Sequence, residues 1–186
     1  MAQSRPAPEW DVSQWFNSDS PLSVQVLRGR VVVAGAFQML CPGCVAQTIP
    51  QLREVHRLFP ASDVAVIGLH TVFEHHDAMG PVALEAFLHE YGIRFPVGVD
   101  RPSDNRNPIP NTMRRYDMQG TPTLLLIDRE GRLRRQSFGH IPDLQLGAEI
   151  MALMRETSDT GDLGARSTDT RPSTAGTSCD TGSCST

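Results

Sequence analysis

The feature that most restricts the fold is a junction between a buried strand and an amphipathic helix, with two cysteines where one passes into the other. Residues 31–36 are an apolar, β-branched run that predicts a buried strand. A Cys-Pro-Gly-Cys motif follows at residues 41–44, and from Val45 apolar residues recur at helical spacing as far as Pro60. Pro50 lies inside the helical pattern and predicts a kink, because proline removes one backbone donor.

The two cysteines of this motif are placed for thiol chemistry. The first turn of a helix has unpaired N–H groups and a partial positive charge, and both favour a thiolate over a thiol. Cys41 is therefore expected to attack, and Cys44 is close enough to resolve a mixed disulfide formed at Cys41. The motif would also suit half of a zinc site, which needs two further ligands, or two buried thiols that only pack together.

A second buried strand is predicted over residues 64–69, and it should run parallel to the first because a helix connects them. Right-handed crossovers bring the loops at the carboxyl ends of parallel strands to one edge of the sheet. We therefore expect His70 on the edge that holds Cys41, as a candidate auxiliary group. Glu74, His75 and His76 follow in a loop, where they could bind a metal, relay protons or simply face solvent.

The rest of the chain predicts the other elements of an α/β fold. Pro122 directly precedes an apolar strand, a position where its missing donor is not needed by the sheet. Gly131 supplies the positive φ of a hairpin turn. The predicted elements are strands over residues 22–27, 95–99, 124–128 and 132–138, a helix from Pro81 to Gly92, a short helix through Met113 and Tyr116, and a last helix from Pro142 to about Arg155.

Composition divides the chain into three parts. Residues 1–21 are a polar N-terminal arm, expected to pack onto a domain formed by residues 22–155. Residues 156–186 are rich in Ser, Thr and Gly and predict a disordered tail, which ends in the pair Cys179 and Cys184. This pair could exchange disulfides with Cys41 and Cys44, join them in a metal site, or have no function.

The charge pattern excludes several classes of function. The net charge is −4 and no basic stripe is present, so we expect no nucleic-acid partner. All 17 basic residues are arginine, which excludes chemistry on a lysine amine. No run is long and apolar enough for an export signal or a membrane span, so we expect a cytoplasmic protein with no membrane partner. In that compartment a Cys-x-x-Cys pair is more often catalytic or metal-bound than structural.

The order of these elements resembles the thioredoxin fold, a central mixed sheet flanked by helices. The motif at residues 41–44 and the pair Thr121-Pro122 are similar to those of the TlpA and redoxin thiol–disulfide oxidoreductases, over residues 22–154. The resemblance implies a cis Pro122 that faces the dithiol, with Thr121 and Pro122 shaping the substrate groove. It also implies a disulfide-containing protein or small-molecule substrate, a thioredoxin- or glutathione-type electron donor, and no organic cofactor.

The chain departs from that family pattern at two positions beside the dithiol. Leu40 stands where the family usually has tryptophan, immediately before the first cysteine. Gly35 stands where thioredoxins proper carry a buried carboxylate, six residues before that cysteine. The residue that accepts the Cys44 proton is therefore not evident from the sequence.

A second resemblance keeps another function open. The segment from Gly35 to Pro50 is similar to the active-site segment of peroxiredoxins, with Cys41 at the place of their threonine. This resemblance implies that Cys44 attacks peroxide and becomes a sulfenic acid, which Cys41 resolves. The dithiol oxidoreductase remains the principal prediction, and a metal-binding module that uses all four cysteines is a further alternative.

Overall fold

The computed structural model describes residues 5–103 and 107–156, which form a seven-stranded sheet with helices packed on it. The order of the strands across the sheet is β1-β7-β6-β3-β4-β5-β2. The strands are β1 (Arg5–Pro6), β2 (Val12–Phe16), β3 (Val31–Phe37), β4 (Val64–His70), β5 (Val97–Asp100), β6 (Thr123–Ile127) and β7 (Arg132–Phe138). The helices are α1 (Ile49–Leu58), α2 (Pro81–Glu90), α3 (Asn111–Arg115) and α4 (Asp143–Arg155).

The centre of the sheet is built from the apolar runs that the sequence predicts as buried strands. All residues of β3 and β4 are buried, and the two strands are parallel. β4 is also parallel to β5, whereas β6 runs antiparallel to β3 and to β7. The mixed sheet flanked by helices is therefore confirmed. Runs that are apolar at every position suit these strands because both faces of the sheet are covered.

The side chains of the central strands alternate between two cores. Val31, Val33 and Phe37 face one core, to which α1, α2 and α4 contribute residues such as Leu52, Leu84 and Ile150. Val32 and Ala34 face the opposite core, which contains Trp10, Met113 and Tyr116. The dithiol belongs to the first of these cores, so both cysteines lie on the side of the sheet covered by α1, α2 and α4.

Residues 5–16 add a strand at each edge of the sheet, since β1 pairs with β7 and β2 pairs with β5. The strand predicted over residues 22–27 is wrong, because residues 24–29 form turns. Glu9 explains the difference: its carboxylate accepts the backbone N–H groups of Val24 and Gln25 at 2.8 and 2.9 Å. Those two donors are no longer available for strand pairing.

The helix that follows the dithiol begins with an unusually wide turn. Cys44–Thr48 is a π-helical turn in which the N–H of Ile49 donates to the carbonyl of Cys44, and α1 continues from there. Pro50 is the second residue of α1, and because the π-helical turn runs into α1 without a break, its missing N–H removes one donor from the continuous helix. The irregularity predicted at Pro50 thus takes the form of a wide turn just before it. Within the described residues, no helix has the length and apolar character needed to cross a bilayer.

Candidate active site

The dithiol lies between the end of β3 and the π-helical turn that leads into α1, and its two sulfurs have different surroundings. Cys41 is partly exposed, whereas Cys44, at the start of the wide turn, is fully buried. Gly43 precedes Cys44 and already has helical backbone angles. Cys41 is therefore the sulfur of the pair that another molecule can reach.

The sulfur of Cys41 is held by two backbone groups. The N–H of Cys44 donates to it at 3.2 Å, and its thiol faces the carbonyl oxygen of Thr121 at 3.6 Å. An N–H group directed at sulfur stabilises the negative charge of a thiolate, as does the helix end behind it. This geometry suits an attacking sulfur at Cys41.

At Cys44 the surroundings favour the protonated thiol over the thiolate. Burial, and then the neighbouring Cys41 sulfur, raise its pKa to about 12, although hydrogen bonds from the Gln38 backbone and the Thr121 side chain act in the lowering direction. Cys44 is therefore protonated at neutral pH and becomes a nucleophile only when a partner on Cys41 draws it into reaction.

The wall opposite the dithiol is the start of β6. The Thr121–Pro122 peptide bond is cis, and a β-carbon at Gly43 would lie 3.5 Å from Cδ of Pro122. The carbonyl of Pro122 accepts the N–H of Gly139 at 2.9 Å, and the hydroxyl of Thr123 donates to the carbonyl of Gly120 at 2.7 Å. These bonds hold the proline loop in place, and the carbonyl of Thr121 in that loop lies 3.6 Å from the Cys41 sulfur.

Two apolar side chains lie exposed beside this loop. Leu40, immediately before Cys41, is 59% exposed, and Phe138, at the end of β7, is 56% exposed. The ring of Phe138 covers Gly120, where a β-carbon would be 3.0 Å from it. The surface around the dithiol is therefore apolar on two sides.

The structure explains why Gly35 replaces a carboxylate. A β-carbon at Gly35 would lie 2.6 Å from Cδ1 of Leu52 and 3.3 Å from Cγ2 of Thr48. Leu52 of α1 fills the space that a side chain on this part of β3 would occupy. The charged acceptor of thioredoxins is thus replaced by an apolar contact.

Gln38 is a site residue that the sequence analysis missed. Its side chain is only 1% exposed, and its amide connects three segments of the chain. The Oε1 atom accepts the N–H of Phe73 at 3.3 Å, while Nε2 donates to Glu74 at 3.4 Å and to the Thr121 hydroxyl at 3.3 Å. The available signal was a polar residue that ends an otherwise apolar run.

The sequence pattern predicts His70 directly after the second buried strand. In the structure His70 is instead the last residue of that strand, β4. It pairs in register with Phe37, and its ring packs on the Phe37 ring with centroids 5.4 Å apart. The imidazole is 1% exposed, its Nε2 has no hydrogen-bond partner within the described residues, and burial lowers its pKa to about 4. The strand extends one residue further than predicted, and its pleat turns the side chain into the helix-covered core.

The other candidate ligands in the loop after β4 do not form a site with His70. Glu74, His75 and His76 are exposed. In residues 5–103 and 107–156, no group of three or more His, Cys, Asp or Glu side chains is arranged to hold a metal ion. Cys179 and Cys184 lie outside the described residues.

A dithiol at a strand–helix junction, opposite a proline that opens the next strand of a helix-flanked mixed sheet, defines the thioredoxin-like class. The model of the Redoxin family matches residues 4–145. The chain belongs to the Redoxin family, within the thioredoxin-like thiol–disulfide oxidoreductases. It is 30% identical over 145 residues to the thiol:disulfide interchange protein DsbE of Allochromatium vinosum, which covers 78% of this chain and 71% of that protein.

Solved structures agree with this assignment. A crystal structure of a thioredoxin-like superfamily protein is 56% identical, with a TM-score of 0.80 over 82% of this chain and 98% of the other. A thiol-disulfide isomerase from Corynebacterium glutamicum is 50% identical, with a TM-score of 0.78 over 82% and 97%. A putative DsbE from Chlorobium tepidum, at 22% identity and a TM-score of 0.63 over 83% and 99%, shares the fold. The thioredoxin-like fold is therefore confirmed.

Proposed function

We propose that the chain exchanges two electrons with disulfide-bearing substrates through Cys41 and Cys44. The observation that carries this proposal is the asymmetry of the pair. Cys41 is partly exposed and accepts the Cys44 N–H at 3.2 Å, while the Cys44 thiol is buried behind it. Such a pair divides the reaction between a sulfur that meets the substrate and one that completes the exchange.

The exchange proceeds in two displacement steps. The Cys41 thiolate attacks one sulfur of the substrate disulfide, forms a mixed disulfide, and the other substrate sulfur leaves with the electron pair of the broken bond. Cys44 then attacks the Cys41 sulfur as a thiolate, and the proton that it gives up is taken in the end by the departing substrate thiolate. The second substrate thiolate leaves, so the substrate is reduced by two electrons and Cys41–Cys44 is oxidised to a disulfide. Only sulfur atoms react, so no organic cofactor takes part.

Thr121 and Pro122 are proposed to shape the groove in which the substrate chain lies. Their loop lies against Cys41 and Gly43, and Leu40 and Phe138 add exposed apolar surface beside it. The names of the DsbE and isomerase relatives support a disulfide-bearing substrate, and the TlpA-type subclass stays a prediction. A thioredoxin- or glutathione-type donor would return electrons to the pair. The cytoplasmic location also stays a prediction, which cell fractionation would test.

The structure favours this exchange over the peroxidase. A peroxidatic Cys44 would have to meet peroxide as a thiolate, yet its side chain is buried and its pKa is raised to about 12. The four-cysteine metal site depends on Cys179 and Cys184, which are outside the described residues.

Single-cysteine variants of the full chain test the proposal. Cys44→Ser should accumulate a stable mixed disulfide at Cys41 with oxidised glutathione or an oxidised model protein, because the resolving sulfur is gone. Cys41→Ser should form none at residue 44. A sulfenic acid trapped at Cys44 in wild-type protein by stoichiometric peroxide, together with no mixed disulfide in Cys44→Ser, would instead establish the peroxidase.

The terminal pair is proposed as an auxiliary dithiol that exchanges with Cys41–Cys44. Removing the residues after Glu156 tests this hypothesis without touching the sheet. Slower turnover with one reductant, reproduced by Cys179→Ser with Cys184→Ser in the full chain, would support an internal shuttle. Turnover that is unchanged with every reductant would exclude it.

A further inference from the structure

We infer that Gln38 is a positioning residue for the attack of Cys41 on a peptide disulfide, because it ties Thr121 to the segment that carries the attacking sulfur. This inference rests on the proposed exchange through Cys41 and Cys44 and on the proposed groove at Thr121 and Pro122. The main chain of Gln38 is bound to Cys41 and its side chain to Thr121. Gln38 therefore joins the two sides between which a substrate chain would lie.

The main-chain bond of Gln38 closes the turn that carries Cys41 out of the sheet. Gln38 directly follows β3, and its carbonyl accepts the N–H of Cys41 at 3.3 Å. A bond from an N–H to the carbonyl three residues earlier is that of a β-turn. This turn restrains the position of Cys41 relative to the end of β3.

The side chain of Gln38 is buried, and its partners fix the orientation of its amide. The backbone N–H of Phe73 can only donate, so the amide atom that faces it at 3.3 Å is the oxygen. The nitrogen is then turned toward the carboxylate of Glu74 at 3.4 Å and toward the Thr121 hydroxyl at 3.3 Å. A buried amide whose two ends are both paired is held rigidly in one orientation.

Thr121 completes a closed circuit of contacts around the reactive sulfur. Its hydroxyl accepts from the Gln38 amide at 3.3 Å, and its carbonyl oxygen lies 3.6 Å from the sulfur of Cys41. The bond from the N–H of Gly139 to the carbonyl of Pro122 holds the same loop to the chain after β7. The Gln38 amide instead joins Thr121 to the segment of the attacking sulfur, so it restrains the distance between the Thr121 carbonyl and that sulfur.

This distance matters for a substrate that lies along the main chain of Thr121. An extended peptide that pairs with exposed main chain binds through main-chain hydrogen bonds. In the first step the Cys41 thiolate forms a bond to one substrate sulfur, the substrate S–S bond breaks, and the other sulfur leaves with the electron pair. The reacting atoms must meet at about 3 to 3.5 Å, and a displacement of about 1 Å can cost about a hundredfold in rate. A disulfide without peptide groups does not pair with Thr121, so its reaction should not depend on Gln38.

Two disulfide probes separate these cases in a full chain that carries Cys44→Ser, Cys179→Ser and Cys184→Ser. Only Cys41 can react in this background, and its mixed disulfide accumulates. One probe is the symmetrical disulfide of an acetylated and amidated pentapeptide, Val-Ala-Cys-Ala-Val, and the other is hydroxyethyl disulfide, which has no peptide groups. Mass spectrometry of the intact protein gives the second-order rate of mixed-disulfide formation. Each variant is compared with the background on the same probe, so the intrinsic reactivities of the two disulfides cancel.

Gln38→Met keeps the length of the side chain and removes the amide. It should slow the reaction with the peptide disulfide about tenfold and the reaction with hydroxyethyl disulfide by less than about twofold. Thr121→Val keeps the shape and the main chain of Thr121 and removes the hydroxyl that Gln38 binds, so it should show the same selective loss. It carries the test if Gln38→Met does not fold. Because both changes remove one bond, the double variant should be no slower than the slower single variant.

The matched control is Gln51→Met in the same background. Gln51 is also a buried amide, and it donates to the carbonyl of Ile141 at 2.7 Å and to Asp143 at 2.6 Å, beside α4. Its replacement removes a buried amide of the same size without touching the circuit around Cys41. The ratio of the two rates should therefore stay at the background value.

A selective loss with the peptide disulfide in Gln38→Met and Thr121→Val, absent from Gln51→Met, would support the role of Gln38. An equal loss with both probes, no loss, the same selective loss in Gln51→Met, or losses that multiply in the double variant would overturn it. A background protein in which Cys41 forms a mixed disulfide with neither probe would instead contradict the proposed function.

Discussion

The ends of β3 and β4 lie side by side in the sheet, but a partly exposed thiol follows the first and a buried imidazole ends the second. The strands are in register, with Gly35 opposite Gly68 and Phe37 opposite His70. After β3 the chain leaves the sheet and presents Cys41, partly exposed and held by two backbone groups. At the end of β4 the imidazole of His70 is buried, and within the described residues its Nε2 has no partner.

This difference shows what the topology of parallel strands determines and what it does not. The crossover brings the ends of both strands to one edge, as predicted. Which side chain faces solvent depends on where each strand stops. His70 is still part of the pleat and points into the core, whereas three residues separate Phe37 from Cys41, enough for the chain to turn outward.

The largest effect is expected when Cys41, after β3, is replaced, and the matching replacement is that of His70 at the end of β4. Cys41→Ser should reduce disulfide turnover by about a thousandfold, to background, because no attacking thiolate remains. His70→Leu should keep turnover within about threefold of wild type, since the imidazole packs against Phe37 in the core. A comparable loss in both variants, measured as kcat/KM with the same disulfide substrate, would contradict this division of roles.

Adding a carboxylate beneath the dithiol should be the next largest effect. Gly35→Asp places a β-carbon 2.6 Å from Cδ1 of Leu52 and buries a charge in an apolar core. We expect a loss of about 3 kcal/mol in the free energy of unfolding, measured with denaturant. Gly147→Asp, on the open face of α4, is the control and should change the stability by less than about 0.5 kcal/mol. Equal stability of the two variants would show that β3 tolerates a side chain here.

The buried imidazole predicts a pH dependence of stability. Burial lowers the pKa of His70 from 6.5 to about 4, so the unfolded state binds the proton first as the pH falls. The contribution to stability is complete above the unfolded pKa and is lost as the pH falls toward the folded pKa. Between pH 7 and pH 5 we expect a loss of about 2 kcal/mol. His70→Leu should abolish that loss, and His89→Leu, at an exposed position on α2, should retain it.

The smallest effect is expected on substrate binding, when the exposed Leu40 beside Cys41 is replaced. Leu40→Ser removes exposed apolar surface beside Cys41 and should raise KM for a protein disulfide about threefold, with an unchanged midpoint potential. Leu58→Ser is matched to it, since Leu58 is 61% exposed against 59% for Leu40 and lies at the far end of α1. A shifted potential in Leu40→Ser would assign this residue to the dithiol chemistry instead.

The sequence predicts the central strands well because both of their faces are buried. Residues 31–36 and 64–69 are apolar throughout, as are residues 124–127 of the fully buried β6. The edge strands β1 and β2 were not predicted, since they are short and their residues are exposed or only partly buried. The false strand at residues 22–27 alternates like a strand, but Glu9 captures its backbone donors from outside the segment.

The site was predictable where it depends on local spacing and not where it depends on distant contacts. Cys41 and Cys44 are placed by the strand–helix junction, which adjacent residues specify. Gln38 is placed by Glu74 and Thr121, which lie 36 and 83 residues away in the chain. No pattern of neighbouring residues shows that these groups meet. The burial of Cys44 likewise depends on packing from several helices.

We propose that Cys41 and Cys44 form one reversible dithiol. Equilibrating the metal-free full chain in a series of glutathione redox buffers, and mapping the cysteine pairs by mass spectrometry, tests it most directly. We predict a single two-electron couple in which Cys41 and Cys44 are joined at the oxidising end and free at the reducing end. Absence of a reversible Cys41–Cys44 disulfide, or oxidation of Cys44 alone, would contradict it.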